Sequence, residues 1–559
     1  MGLAKKSALQ TYDNKRKYED THLISTGMYL TKLLASYGVD TVFGIPGVHT
    51  VELYRGLAGS TIRHVTPRHE QGAGFMADGY ARATGKPGVC FIITGPGMTN
   101  IVTAMGQAYG DSIPILVIST VNAHGRMGSG EGWLHELPNQ QALVSGVSAF
   151  SCTINRPEEL APALARAFAV FDSARPRPVH IELPINIMLA SAEHLAVPEK
   201  PVRLKRPAGD TNALRQAAAL LDTANAPVIL VGGGAIGAAS EIRALAEKLD
   251  APVAMTTNGR GILPHGHALA VNLSASMRAT RSLIEASDVV LGIGTELGPT
   301  DYDMYEDGFF SIPGSFIRVD IDPAQLMRTR QPEIGIVGDA AGCAASLRDL
   351  VSAASRNGAM RAAEVVKLIH RDVSPAMLGD LMILKTIRDT LPDVLIAGDS
   401  TQLVYAGNTA YEAASPGSYF NSATGYGTLG YGLPAGIGAK VGRPECPVVV
   451  LAGDGGVQFS LGELASAMEA KARIILMLHD NGGYGEIKSY MVAKNIPPLG
   501  VDLHTPDFIT IGRAYGWHAA RLESFEDLKA ALEAAKQLDV PTMLVFGDDV
   551  RRQAVAQKR

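Results

Sequence analysis

The sequence predicts an α/β protein of three domains, each a doubly wound parallel sheet. Three observations predict it. A chain of 559 residues exceeds one compact core and, at ~100–200 residues per domain, divides into three or four units. Hydrophobic residues at 46% and charged residues at 19% give a globular, well-buried composition. Strand-like apolar runs alternate with helical patterns throughout, and several are continuous Val/Ile/Leu runs ending in Gly, Asp or Asn. Such strands are covered on both faces, and the residues after them lie at the carboxyl edge of a parallel sheet, where ligands bind.

In order, the runs are TVFGIPG, GVCFIITGPG, ILVIST, PVHIELP, PVILVGGG, DVVLGIG, SFIRVDID, DVLIAGD, PVVVLAGDGG, RIILMLHD and PTMLVFG. Two stretches interrupt the rhythm. Residues near 190–210 mix Pro with charge and read as a linker, and residues near 352–376 are helical and polar. Domains are therefore expected at 1–190, 207–350 and 375–559. The 60 glycines suit many tight strand-to-helix turns.

A net charge of −5 with no basic stripe gives no pull toward nucleic acid. The four cysteines (Cys90, Cys152, Cys343, Cys446) lack CxxC spacing, so reduced thiols are expected rather than disulfides or structural zinc. The N-terminus, MGLAKKSALQTYDNKRKYED, is charged, and no segment reaches the ~18 apolar residues of a membrane helix. A cytoplasmic protein without membrane contact is expected.

Gly232, Gly234 and Gly237 match GxGxxG after a strand, the dinucleotide fingerprint. The pattern expects an acid at the end of the next strand, but PVAMTT ends in Met255-Thr256-Thr257. The plainer account, a tight turn in a Rossmann-like domain without nucleotide, is preferred. A hydride-transfer enzyme is demoted with it.

The strongest chemical signal lies near the C-terminus. The run PVVVLA opens into Gly453-Asp454-Gly455-Gly456, a helix is expected at 462–471, and RIILML opens into Asp480-Asn481-Gly482-Gly483. Two neighbouring strands then present an acid and an amide at one sheet edge. Both are hard oxygen ligands suited to octahedral Mg²⁺, and the glycines let backbone N–H groups approach a diphosphate. GDGG alone fits an ordinary turn; the pair is more specific.

That pair resembles the motif of thiamine-diphosphate (ThDP) dependent 2-oxo acid decarboxylases and acetolactate synthase-like enzymes, a GDG followed by about 30 residues and an Asn-Asn pair. The resemblance implies that Asp454, Asn481 and the Gly483 carbonyl hold the metal, with Gly455, Gly456, Tyr484 and Gly485 against the cofactor. Asp480 departs from the usual first Asn. Arg68-His69-Glu70-Gln71 resembles the family's other half-site, where Glu70 would bond the aminopyrimidine N1′ and move its proton; by itself a Glu there reads as a helix cap. TGPGMTN…DSIP (94–114) resembles the segment lining the thiazolium edge. GYGTLGYGLPAGIGA (425–439) resembles the segment in which Leu429 props the cofactor and the Gly427 carbonyl accepts from its 4′-amino group. Thr401 and Gln402 fall where relatives bind the diphosphate. The resemblance covers residues 20 to 550 and implies a homodimer or homotetramer, with each active site taking Glu70 from one subunit and Asp454 from the other.

Departures from acetolactate synthase point to the substrate. Glu296 stands where that enzyme has an Arg of its FAD-holding segment, so FAD is not expected. Val121 replaces a Gln. Glu486 replaces an apolar Met in the substrate pocket, with Tyr490 one turn later. A pocket carboxylate is costly unless paired, and a guanidinium would pair it through two bonds. Glu131, Glu136, Asp301 and Asp303 would assist, or are solvated surface acids. With PGVHTVELYRGL and GSGEGWLHELPNQ, the pattern resembles the family branch that decarboxylates 5-guanidino-2-oxopentanoate (2-ketoarginine) to 4-guanidinobutanal and CO₂ in arginine catabolism. His49 is a candidate proton relay, with a structural histidine its equal competitor, and His124 and His135 are weaker candidates. The alternatives are an acetolactate synthase-like or benzaldehyde lyase-like carboligase and, outside catalysis, a ThDP-binding regulatory subunit.

Overall fold

The computed structural model describes residues 24–304, 306–308 and 310–556. The charged segment before residue 24 lies outside the described residues. Three six-stranded sheets, parallel throughout, form three layered α/β units. The first holds β1 (Thr41–Gly44), β2 (Arg63–Val65), β3 (Gly88–Ile92), β4 (Ile115–Val121), β5 (Phe150–Thr153) and β6 (Val179–Pro184), in the order β2-β1-β3-β4-β6-β5. The second holds β7 (Val228–Val231), β8 (Val253–Met255), β9 (Ala270–Val271), β10 (Val289–Ile293), β11 (Ser315–Asp320) and β12 (Ile334–Val337), in the order β12-β11-β10-β7-β8-β9. The third holds β13 (Leu395–Gly398), β14 (Tyr419–Asn421), β15 (Val448–Gly453), β16 (Ile475–His479), β17 (His518–Arg521) and β18 (Thr542–Phe546). Its order, β14-β13-β15-β16-β18-β17, repeats that of the first sheet.

Both repeated sheets reverse direction between their first and third strands, which places the ligand crevice there. In the first sheet that is the carboxyl edge of β1 and β3; in the third, of β13 and β15. The middle sheet has the order of dinucleotide-binding domains, but its glycine turn is engaged internally. The Gly234 N–H donates to the Gly294 carbonyl at 3.0 Å, and a short 3₁₀ turn follows β7. A cavity of about 420 Å³ lies beside this turn, where the three units meet.

Six helices position the site: α1 (Glu70–Thr84), α2 (Pro96–Asp111), α3 (Gln402–Ala410), α4 (Gly432–Gly442), α5 (Glu463–Glu469) and α6 (Gly485–Ala493). The expected 462–471 helix is the shorter α5. α1 and α4 pack the first unit on the third through a shared core that includes Phe75, Met76, Leu433 and Ile437. Their contact is glycine on carbonyl from both sides. A Cβ on Gly79 would stand 1.9 Å from the Ala435 oxygen, and one on Gly438 1.9 Å from the Met76 oxygen.

Beside this contact Arg82 donates to Asp78 (2.6 Å) and Asp111 (2.5 Å), and Tyr431 donates to Asp78 (2.5 Å). Arg82 also reaches Asn258 of the middle unit at 3.2 Å. Gly79→Ala is expected to lower stability by about 1–3 kcal/mol through overpacking, read as a lower urea midpoint with an unchanged slope.

Candidate active site

The third unit supplies an oxygen cradle. β15 and β16 pair with Gly453 opposite His479, so the residues after each strand emerge side by side. Asn481 Oδ1 lies 3.0 Å from Asp454 Oδ1 and 2.9 Å from the Gly483 carbonyl oxygen. The amide turned over donates to both; with Oδ1 in that place, three oxygens would converge on a bound cation. Oxygens around octahedral Mg²⁺ at about 2.1 Å stand about 3.0 Å apart along an edge, so the spacing fits. Asp454 is buried, its Oδ2 has no partner among the described residues, and burial raises its carboxyl above the ordinary range. A cation there would offset that cost. Asp480, the departure from Asn-Asn, points away toward Arg521 at 3.5 Å and leaves the cradle intact.

Glycines keep the surroundings open. A Cβ on Gly485 would meet the Asn481 amide at 2.6 Å, and one on Gly455 the Tyr484 ring at 2.7 Å. Gly483 has φ +146°, and a Cβ there would stand 2.1 Å from the Val501 oxygen. Thr401 precedes α3 with its hydroxyl unused as a cap and facing Gly453. Asp399, at the end of β13, is buried, accepts from the Ser400 N–H at 2.9 Å, and has its carboxyl pushed up to about 6 by burial. Gln402 turns toward α6 and donates to Glu486 at 2.6 Å.

The loop bearing Gly427 and Leu429 is held by α2. Thr424 donates to Asp111 at 2.8 Å and Thr428 to Gln107 at 3.0 Å. Leu429 is half-buried and Gly427 is exposed with φ +78°.

The first unit supplies a carboxylate and two imidazoles. Glu70 opens α1, capped by His69, whose Nδ1 accepts from the Gln71 N–H at 3.1 Å. Glu463 accepts from the N–H groups of Arg68 and His69, so Glu70 is free of capping duty. Asn100 donates to Glu70 at 2.9 Å. His49, after β1, meets His135 edge to face with ring centroids 5.2 Å apart. Both Nδ1 atoms are buried without a partner among the described residues. Burial, and secondarily His135, hold His49 below the usual histidine range. His135 has φ +60°, backbone strain of the kind stored at functional sites.

The structure thus gathers Asp454, Gly455, Asn481, Gly483, Tyr484, Gly485 and Thr401 on one unit, and Glu70 with His49 on another. No hydrogen bond among the described residues joins the two sets within one chain. Glu136 accepts from the Gly130, Gly132 and Trp133 N–H groups and holds its own loop together. Glu131 accepts from Trp133, Asp301 from the Thr257 N–H, and Asp303 pairs with Arg281. His124 is exposed and bonds Asn155. Asn100, Gln107 and Asp111 lie in a recognised segment, but only their contacts reveal their roles.

Thiamine pyrophosphate enzyme family models match all three units. The N-terminal TPP binding domain matches residues 24–143, the central domain 214–350 and the C-terminal TPP binding domain 399–546. The chain belongs to the thiamine pyrophosphate enzymes. Among relatives, the probable 2-ketoarginine decarboxylase of Pseudomonas aeruginosa is 45% identical over 519 residues, 91% of this chain and 92% of that one. The large subunit of acetolactate synthase isozyme 1 of Escherichia coli is 31% identical over 90% of each chain. A probable acetolactate synthase large subunit of Methanocaldococcus jannaschii is 31% identical over 92% of this chain and 90% of its own. Thiamine diphosphate is therefore the cofactor of this thiamine pyrophosphate enzyme, a 2-oxo acid decarboxylase. Adding ThDP and Mg²⁺ is expected to raise the melting temperature of the apo protein and of Asp480→Asn, and to leave Asp454→Ala unmoved. Differential scanning calorimetry reads all three.

Proposed function

We propose that this enzyme decarboxylates a 2-oxo acid with a cationic tail, 5-guanidino-2-oxopentanoate, to 4-guanidinobutanal and CO₂ in arginine catabolism, with Mg²⁺ and ThDP at an active site shared by two subunits. The observation that carries the substrate is Glu486. It opens α6 a few residues beyond the cation cradle, accepts from the Gln402 amide, and pairs with no cation among the described residues. Burial, and then the Glu486 carboxylate, push the nearby Tyr405 phenol up to about 12, so that group stays neutral. An acid beside an amide and a neutral phenol suits a planar guanidinium. Tyr490, exposed on the same helix, offers a face to the substrate tail. The Pseudomonas relative, by its name, supports the same substrate.

Bound ThDP supplies a nucleophilic carbon and an electron sink. Asp454, Asn481 and the Gly483 carbonyl would hold Mg²⁺, and Gly455, Gly456, Tyr484, Gly485, Thr401 and Gln402 would bind the diphosphate. Leu429 would support the cofactor, and the Gly427 carbonyl would accept from its amino group. Glu70, steadied by Asn100, carries the proton at the aminopyrimidine nitrogen. His49, kept neutral, works with His135 to carry the proton that releases the aldehyde. No flavin enters this scheme. Four free cysteines accord with a cytoplasmic setting.

A shared site accords with the lack, among the described residues, of any hydrogen bond joining Glu70 to the Asp454 cradle within one chain. The exposed side chains of Ile487, Tyr490 and Val492 on α6, together with Val48 and Val51 beside His49, suit a homodimer or homotetramer. On a substrate panel 2-ketoarginine is expected to exceed pyruvate and benzoylformate, with free aldehyde rather than a coupled hydroxyketone as product. Glu486→Gln is expected to lower kcat/KM for 2-ketoarginine by about 10- to 100-fold and to spare short apolar 2-oxo acids; faster turnover of pyruvate by the wild type would overturn the assignment. Glu70→Gln and Asp454→Ala, each inactive alone, are expected to regain about a quarter of wild-type activity when co-assembled, because one of two sites in each hybrid is intact. No recovery would place each site within one chain.

A further inference from the structure

Behind the His135 loop lies a buried polar cluster that the mechanism above does not use. Gln140, 3% exposed, opens the short helix that ends this loop. Its Oε1 accepts from the Thr94 hydroxyl at 2.9 Å and the Gly95 N–H at 3.3 Å. Its Nε2 faces three acceptors: Ser119 Oγ at 2.9 Å, the Thr120 carbonyl at 3.0 Å and Glu182 Oε2 at 3.0 Å. Glu182, 2% exposed on β6, also accepts from Thr153 at 2.6 Å. Ser119 continues into His180 at 2.8 Å, and His180 meets Ser151 at 2.7 Å.

The two ends of the Gln140 carboxamide reach different places. The amide nitrogen is rooted in β4 and β6 of the core. The amide oxygen grips Thr94-Gly95, the turn that follows β3 and launches α2. Gly95 has φ +70°, and a Cβ on it would stand 2.6 Å from the His135 carbonyl oxygen and 2.9 Å from its Cα, so this turn is the seat of His135. One turn into α2, Asn100 holds Glu70. A Cβ on Gly97 would stand 3.3 Å from Glu70 Oε1, so the first turn of α2 also sets the space beside that carboxylate.

We propose that Gln140 is a positioning residue for the decarboxylation, fixing through the Thr94-Gly95 turn both the His135 imidazole and, by way of Asn100, the Glu70 carboxylate. The inference rests on the roles given above to Glu70 and His135. Gln140 touches no reacting atom; its amide transmits the rigidity of the sheet to two groups that do. Burial makes the arrangement binding in both directions, since removing the carboxamide takes a partner at once from the Gly95 N–H, the Thr94 hydroxyl and Glu182 Oε2.

Gln140→Leu, similar in volume, is expected to lower kcat about 10- to 100-fold with KM within about threefold of wild type. Gln140→Glu sets a second carboxyl against Glu182. The pair shares one proton at low pH and repels once it is lost, so kcat relative to wild type is expected to fall as pH rises, a trend that mere loss of packing would not produce. Thr94→Val keeps Gln140 bonded to Glu182 and leaves only the longer Gly95 N–H bond on the turn; it decides the matter if Gln140→Leu does not fold. In the apo protein, the ring NMR resonances of His135, assigned with His135→Asn, are expected to move in Gln140→Leu and Thr94→Val. Unmoved His135 resonances, or wild-type kcat in either variant, would overturn the proposal. Retained turnover in Glu70→Gln would instead sink the reading beneath it, and the apo resonances would still report whether Gln140 seats His135.

Discussion

The Arg82 guanidinium is the constraint on which the arrangement of the three units depends. Its side chain is only 7% exposed, a placement tolerable because carboxylates, an amide and an aromatic face surround it. Asp78 comes from its own helix, Asp111 from the end of α2, Asn258 from the middle unit and the Phe420 ring from β14. Such a pair adds little net stability compared with an apolar plug, yet losing one member strands the others in a low dielectric. The cluster therefore acts as a joint with a single solution. Asp111 also takes the Thr424 hydroxyl, so the loop that bears Gly427 and Leu429 is fixed by the same charge.

The first and third sheets share one strand order, and several functional groups of each lie at the reversal point of that order. In the third sheet this edge carries Asp399, Thr401 and Asp454; in the first it carries His49 and the Thr94-Gly95 turn. Parallel sheets leave their strand ends unpaired at this edge, and the reversal opens a crevice there without any special sequence. One architecture thus provides both an oxygen-rich metal cradle and a pocket with a carboxylate and two imidazoles. The difference between them lies in the first few residues after each strand.

The central strands were legible because burial on both faces forces unbroken apolar runs: Val448–Ala452, Ile475–Leu478 and Ile115–Ile118 show no alternation to confuse them. β5, β9, β12, β14 and β17 were not foreseen, and all lie at sheet edges. β12 and β17 have solvent on one side and mix exposed with buried positions, which leaves no strand period in four residues. At the site, Asp454, Asn481 and Glu70 could be found because their chemistry lies in local motifs. Gln140 and Asn100 could not, since their meaning comes from Thr94, Glu182 and Glu70, distant in sequence. For Glu136 the sequence left open a ligand-facing acid or a solvated surface acid; its oxygens close its own exposed loop.

The reciprocal approach of Gly79 and Gly438 has a dynamic consequence. Each helix offers its partner the one residue without a side chain, so sliding either by a single position would drive a Cβ into a carbonyl oxygen. The first and third units are thereby locked in register against sliding. The stretch around α6, which contributes no buried residue to any core, takes no part in that lock.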